Sequence, residues 1–141
     1  MKLSFVAAGL GAALVRSGGR LLTVEEIGRD PGLCASAILS NEAHVLVDAS
    51  TDPRSLANPL VAGDFGLRFY AGVPLQTSDG FNLGTLCVID KEPRPVDQDQ
   101  IDDLTDLASL VVDQLELRLA ARTAISRAEL MARELKSEQW R

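Results

Sequence analysis

Aromatic side chains are scarce, at 4% of the chain: one Trp, one Tyr and four Phe. That thinness leaves no set of stacking platforms for single-stranded nucleic acid or sugars. Histidine is rarer still. His44 stands alone, and with only Cys34 and Cys87 beside it a zinc site made of protein ligands lacks donors. Positive charge is in the minority, 14 Lys and Arg against 20 Asp and Glu, for a net charge of −6. Such a balance repels phosphate backbones, so nucleic acid is excluded as a partner. The one long apolar stretch, Leu3 to Val15, is too short to cross a bilayer as a helix, and no membrane partner is expected. A P-loop, a Gly-rich dinucleotide fingerprint, paired metal ligands and a nucleophile elbow are all missing. A hydrolase needs a nucleophile with a base beside it, and one histidine without a nucleophile elbow leaves little to build from, so no catalytic residue and no enzyme is expected.

What remains is well suited to a core. Of 141 residues, 46% are hydrophobic, mostly Leu, Val, Ile and Ala, enough for one domain without metals or disulfides. Cys34 and Cys87 both lie in apolar runs, where a cysteine packs as a small hydrophobe in a reducing compartment. A cytoplasmic location follows. Lys2 and the stretch after it imitate a signal peptide, but the positive start is a single lysine and Gly9 and Gly11 interrupt the run. The stretch reads instead as the end of a core helix entering a first buried strand.

Ala12 to Val15 and Leu21 to Ile27 flank a Gly-rich turn and read as a β-hairpin. Arg29-Asp30-Pro31-Gly32 is a turn, and Leu33 to Leu39 a short helix that must pack on something. His44 to Asp48 reads as a strand. Thr51 or Asp52 then caps a helix with Pro53 in its first turn, broken at Asn58-Pro59. Leu67 to Leu75 and Leu83 to Ile89, joined through an Asp-Gly signal, form the clearest strand pair. Alternation places Arg68 and Tyr70 on one face of the first strand, and Thr85 and Cys87 together in the second. Both faces are apolar, so the sheet is covered on both sides. From Asp97 a single long helix begins with an Asp97/Gln100 capping box. Its first stripe runs Ile101, Leu104, Ala108, Val111, Leu115, Leu119. A second seam, Leu110, Leu117, Ala121, Ala124, Ala128, Met131, Leu135, approaches the period of a coiled coil.

Several of these phrases resemble one family in order and spacing. Leu67-Arg68-Phe69-Tyr70-Ala71-Gly72-Val73-Pro74-Leu75 with Leu83-Gly84-Thr85-Leu86-Cys87-Val88-Ile89-Asp90 resembles the core hairpin of bacterial GAF domains. Asp48-Ala49-Ser50-Thr51-Asp52-Pro53-Arg54 with Asn58-Pro59-Leu60-Val61 resembles the family's cross-connection, and Gly32 to Ile38 its short helix. The resemblance implies an α+β fold: a central antiparallel sheet of five or six strands, terminal helices on one face and a small-molecule pocket on the other. Residues 1–120 form the domain, with a shortened N-terminal helix, and residues 121–141 a helical, coiled-coil extension. It further implies a regulatory sensor that binds an unidentified small molecule, forms a homodimer through the C-terminal helix, and relays a signal to an output module such as a histidine kinase or cyclase. Two alternatives stand beside it: a ligand-free dimerisation scaffold, and a cysteine-based redox sensor or enzyme.

The family's known ligand signatures do not transfer. The Asn-Lys-Phe-Asp-Glu constellation of cyclic-nucleotide binders is not in this chain, neither cysteine neighbours a histidine as in bilin binders, and no cofactor is named. The family's methionine-sulfoxide-reducing members use a set of nearby cysteines, against two isolated ones here. The candidate ligand-binding residues are Cys34, Arg68, Tyr70, Thr85 and Cys87. Arg68 has two readings, an anchor for an anionic ligand or a structural ion pair with Asp48 or Asp64. Thr85 and Cys87 line a pocket or serve packing.

Overall fold

The computed structural model describes residues 32–139 in full and, before them, the backbone of three strands at residues 4–9, 12–17 and 20–25. Those strands are β1 (Ser4–Gly9), β2 (Ala12–Ser17) and β3 (Arg20–Glu25). They are followed by helix α1 (Leu33–Ala37), β4 (His44–Leu46), helix α2 (Pro59–Ala62), β5 (Phe69–Gln76), β6 (Asn82–Asp90) and helix α3 (Gln98–Glu138). All six strands join one antiparallel sheet in the order β3-β2-β1-β6-β5-β4.

The hairpin expected around Arg16 to Arg20 is present, with Ser17 opposite Arg20. Gly18, Gly19 and the Arg29-Asp30-Pro31 part of the next expected turn lie outside the described residues. The start of the chain corrects the sequence reading. Where a helix end was expected, Ser4–Gly9 is a strand, paired on one side with β2 and on the other with β6. Two ladder edges satisfy its backbone, and the glycines of this stretch weaken a helix.

A second correction concerns Thr51 to Asn58, which forms consecutive turns rather than a helix. Aspartate side chains compete with the helical ladder here. Asp48 accepts from the N–H and the hydroxyl of Ser50, and Asp52 accepts from the N–H of Arg54. Asn58-Pro59 does not break a helix but begins one. The Asn58 side chain accepts from Leu60 N at 2.9 Å, and Pro59 occupies the first turn, where a missing N–H costs nothing.

The β5–β6 pair follows its alternation. Phe69, Ala71, Val73 and Leu75 of β5, with Leu86 of β6, face α3 and bury Leu104, Ala108 and Val112. Tyr70 and Cys87 face the other way, into a cluster with Leu33, Leu46, Ala49, Val61 and Leu67. Pro74 pairs with Thr85 and lies beyond Tyr70–Gly72, the stretch of β5 covered by β4, so its missing N–H interrupts no β4–β5 bond. The connecting turn closes on Gly80, whose φ of 89° suits glycine, with Gly80 N donating to Thr77 O.

Helix α3 is 41 residues long and opens on the expected capping box, Asp97 accepting from Gln100 N and Gln100 from Asp97 N. Its packing ends long before the helix does. Leu115 and Leu119, expected in the core stripe, are 42% and 66% exposed. The sheet is too short to cover them. Glu116 makes a late tie to the turn between β5 and β6, accepting from the N–H and hydroxyl of Ser78 at 2.8 and 2.9 Å. Beyond it the helix continues for about 33 Å, at ~1.5 Å per residue. Along that length Leu117, Ile125, Met131 and Leu135 are all exposed. Among the described residues no helix is long and apolar enough to cross a membrane.

Candidate functional site

Helix α1 lies on the face of β5 and β6 opposite α3, and these two strands meet beneath it. Tyr70 pairs with Ile89 and Gly72 with Cys87, so Tyr70, Gly72, Thr85 and Cys87 share that face. Gly72 is what lets Tyr70 lie along the strand. A Cβ at Gly72 would sit 2.8 Å from the Tyr70 ring carbon Cζ and closer still to the hydroxyl. The Tyr70 hydroxyl thereby reaches Cys34, donating to its Sγ at 3.6 Å. Cys34 comes from α1, and its Sγ lies 3.9 Å from the Sγ of Cys87, with no disulfide between them. Thr85, fully buried, donates through Oγ1 to the backbone oxygen of Cys34 at 3.1 Å and pins the helix above the sulfurs.

The electrostatics of this group are uneven. The hydrogen bond with Cys87 holds the Cys34 thiol down at about 7, with burial opposing and the Tyr70 hydroxyl assisting. Burial, together with the two neighbouring sulfurs, pushes Tyr70 upward, so its hydroxyl keeps its proton and remains a donor. His44 packs edge-on against the Tyr70 ring at 5.9 Å, and burial followed by the positive charge of Arg54 lowers its pKa.

Four of the five expected site residues, Cys34, Tyr70, Thr85 and Cys87, thus meet. Arg68 does not join their hydrogen-bonded group. Its guanidinium donates to the backbone oxygens of Val61 at 3.2 Å and Leu67 at 2.8 Å, tying α2 to the start of β5. Neither Asp48 nor Asp64 forms an ion pair with it; among the described residues the ion pairs are Asp52–Arg54, Asp90–Arg94 and Glu92–Arg94. The Asp48 carboxyl is held low chiefly by the Ser50 hydroxyl and N–H, with Arg68 a lesser influence.

Sequence reasoning missed Asn82, and it missed what Gly72 does for Tyr70. Asn82 tethers the far end of α1, its amide nitrogen donating to Ile38 O at 3.1 Å, Ser40 O at 3.4 Å and Asn41 Oδ1 at 3.1 Å. Gly72 stands in the hairpin phrase quoted from the sequence, but no local signal records the room it makes for the Tyr70 ring. Beneath α1, Leu33, Tyr70 and Cys87 belong to one buried cluster. A polar cleft of about 160 Å³ lies elsewhere, between α3 and β5, lined by Asn41, Ala43, Val73, Pro74, Gln76, Thr105 and Ser109.

One family model, described as the GAF domain, matches residues 6–115 of the chain. The chain belongs to the GAF domain family. Among curated proteins it is 43% identical over 95 residues to Cyclic di-GMP phosphodiesterase PA2567 of Pseudomonas aeruginosa, a match covering 67% of this chain and 16% of that protein. The GAF domain therefore corresponds to a small part of that relative. Solved structures of similar fold include the free methionine-R-sulfoxide reductase of Neisseria meningitidis, with a TM-score of 0.59 and 22% identity, covering 86% of this chain and 69% of that one. The PixJ GAF domain of Thermosynechococcus elongatus aligns with a TM-score of 0.55 and 16% identity, over 89% and 82% of the two chains. At these identities the likeness concerns the fold alone. The α+β fold with its antiparallel sheet and long C-terminal helix is thus a GAF fold, and a role in signalling goes with it.

Proposed function

We infer that this GAF domain is a regulatory sensor, and not an enzyme, which passes a change on the α1 face through the sheet and α3 to an output module. One observation carries the reading. The residues of α3 that pack behind β5 and β6 belong to the same unbroken helix that continues, with an exposed apolar seam, well past its tie at Glu116. A shift of β6 under α1 acts directly on Leu86, which is in the α3 cluster and next to Cys87 in the strand. The similarity to a cyclic di-GMP phosphodiesterase supports an output concerned with cyclic dinucleotides beside the kinase and cyclase classes.

The seam at Leu110, Leu117, Ala121, Ala124, Ala128, Met131 and Leu135 pairs with its own copy in a parallel homodimer, the simplest apolar complement to itself. Three alanines make that interface weak, which suits a helix that moves during signalling. Deletion of Thr123 to Arg141 should convert dimer to monomer in analytical ultracentrifugation while circular dichroism still reports the sheet. An unchanged dimer places the interface elsewhere, and a full-length monomer removes the coiled coil.

The small-molecule part of the reading places a ligand beneath α1 at Cys34, Tyr70, Thr85 and Cys87, with Arg68 at its margin. Native mass spectrometry of undenatured protein tests it through a co-purified mass. A specific feature favours the ligand-free scaffold as second reading: Tyr70 and Cys87 are buried in one cluster with Leu33, Leu46 and Leu67. The non-enzyme part is tested by incubation with free methionine-R-sulfoxide and dithiothreitol. The sulfoxide should persist, and its steady consumption would make the domain a reductase.

A further inference from the structure

Two thiols that are 53 residues apart in sequence stand 3.9 Å apart in space, under a tyrosine hydroxyl. Their surroundings differ. Cys87 is 1% exposed in the middle of β6, whereas Cys34 is partly exposed on a helix of one turn. A disulfide needs about 2.05 Å between sulfurs, so closure requires a movement of roughly 2 Å. The mobile partner is the small one. Helix α1 has five residues and is held to the sheet by the Thr85 hydroxyl at one end and Asn82 at the other, whereas Cys87 is fixed between two ladders.

We propose that Cys34 and Cys87 form a two-electron redox site whose substrates are small hydroperoxides, Cys34 reacting first and Cys87 resolving it to an intramolecular disulfide. The Cys34 thiolate attacks the outer oxygen of the peroxide; an S–O bond forms and the O–O bond breaks, leaving a sulfenic acid and an alkoxide or hydroxide that takes a proton from water. The Cys87 sulfur then attacks Cys34; the S–S bond forms, the S–O bond breaks, and the departing hydroxide leaves as water with the Cys87 proton. One hydroperoxide is reduced to an alcohol or water, and two thiols are oxidised. Tyr70 is a positioning residue, since its retained proton stabilises the thiolate that must attack. The product bolts α1 to β6, the strand whose other face packs on α3. The site stands on the sulfur geometry and does not require relay through α3 or any ligand.

The test uses the whole chain, reduced with dithiothreitol, freed of it and treated with hydrogen peroxide. Denatured intact mass should show the loss of two hydrogens per chain, and a non-reducing peptide map should join the Cys34 peptide to the Cys87 peptide, with dithiothreitol restoring both thiols. Cys87→Ser should halt at a Cys34 sulfenic acid that dimedone captures, and Cys34→Ser should leave Cys87 unmodified. The wild-type map stands by itself should either variant fail to fold. Three results overturn the proposal: both thiols remaining reduced at peroxide concentrations that oxidise N-acetylcysteine, Cys34 passing to the sulfinic acid with Cys87 still a thiol, or a bridge between two chains in place of one within a chain.

Discussion

The two faces of the β5–β6 pair are built from different materials. On the α3 side, Phe69, Ala71, Val73, Leu75 and Leu86 meet Leu104, Ala108 and Val112, an interior of hydrocarbon with nothing to titrate. On the α1 side, the same two strands present Tyr70, Thr85 and Cys87 to Cys34, buried polar and sulfur groups held by hydrogen bonds. The first face gains from close packing over several turns of one long helix. The second is closed by a five-residue helix that cannot stand alone. One face is thus closed by a single long helix and the other by short separate segments.

That contrast can be broken by substitution. The largest effect is expected from Leu104→Ala, which leaves a cavity between α3 and the sheet. It should cost about 2–5 kcal/mol, read as a lower urea midpoint. A loss under about 1 kcal/mol would show that α3 is not the closely packed side. Next is Gly72→Ala on the α1 side, where the new methyl meets the Tyr70 ring and must push it aside. The cost should be about 1–3 kcal/mol in the same measurement. Cys34 alkylation should also slow, because the hydroxyl leaves its sulfur.

A sharper and smaller effect concerns pH. Thiolate is the reactive form, so the rate of Cys34 alkylation by iodoacetamide should rise with pH and reach half its maximum near 7. The titratable groups facing it are the Cys87 thiol from β6 and the Tyr70 hydroxyl from β5. Tyr70→Phe removes a donor to the thiolate and should move the midpoint upward, with little change in melting temperature; an unmoved midpoint would deny Tyr70 its positioning role. The smallest effect is expected beyond both faces. Leu119→Ala, at a site 66% exposed, should change unfolding of the sheet by no more than about 0.5 kcal/mol. A larger loss in urea unfolding would mean that α3 remains part of the core further along than its exposure indicates.

Where a feature depends on neighbours in sequence, it was legible. The β5–β6 hairpin, its alternation, the Asp-Gly turn and the Asp97/Gln100 box all arise from residues within a few positions of each other. The segment around Asp52 misled for a related reason. A helix cap and an Asx turn use the same side chains, and only the hydrogen bonds formed by Asp48 and Asp52 choose between them. Likewise Pro59 is compatible with ending a helix or starting one, and Asn58 accepting from Leu60 N decides for the start.

The class of fold came from the resemblance to GAF domains, while the chain's pattern by itself determined the pairing of its two most apolar strands, which residues share a face, and the existence of a long C-terminal helix. These follow from periodicity, turn chemistry and capping, all of which act locally. Only the tertiary structure decided that Cys34 and Cys87 meet, that Arg68 binds the carbonyl oxygens of Val61 and Leu67 rather than a carboxylate, and that the stripe of α3 leaves the core after Val112. Each of these depends on where α1, α2 and α3 come to rest on the sheet. That docking is set by the summed burial of many side chains, and no single local spacing records it.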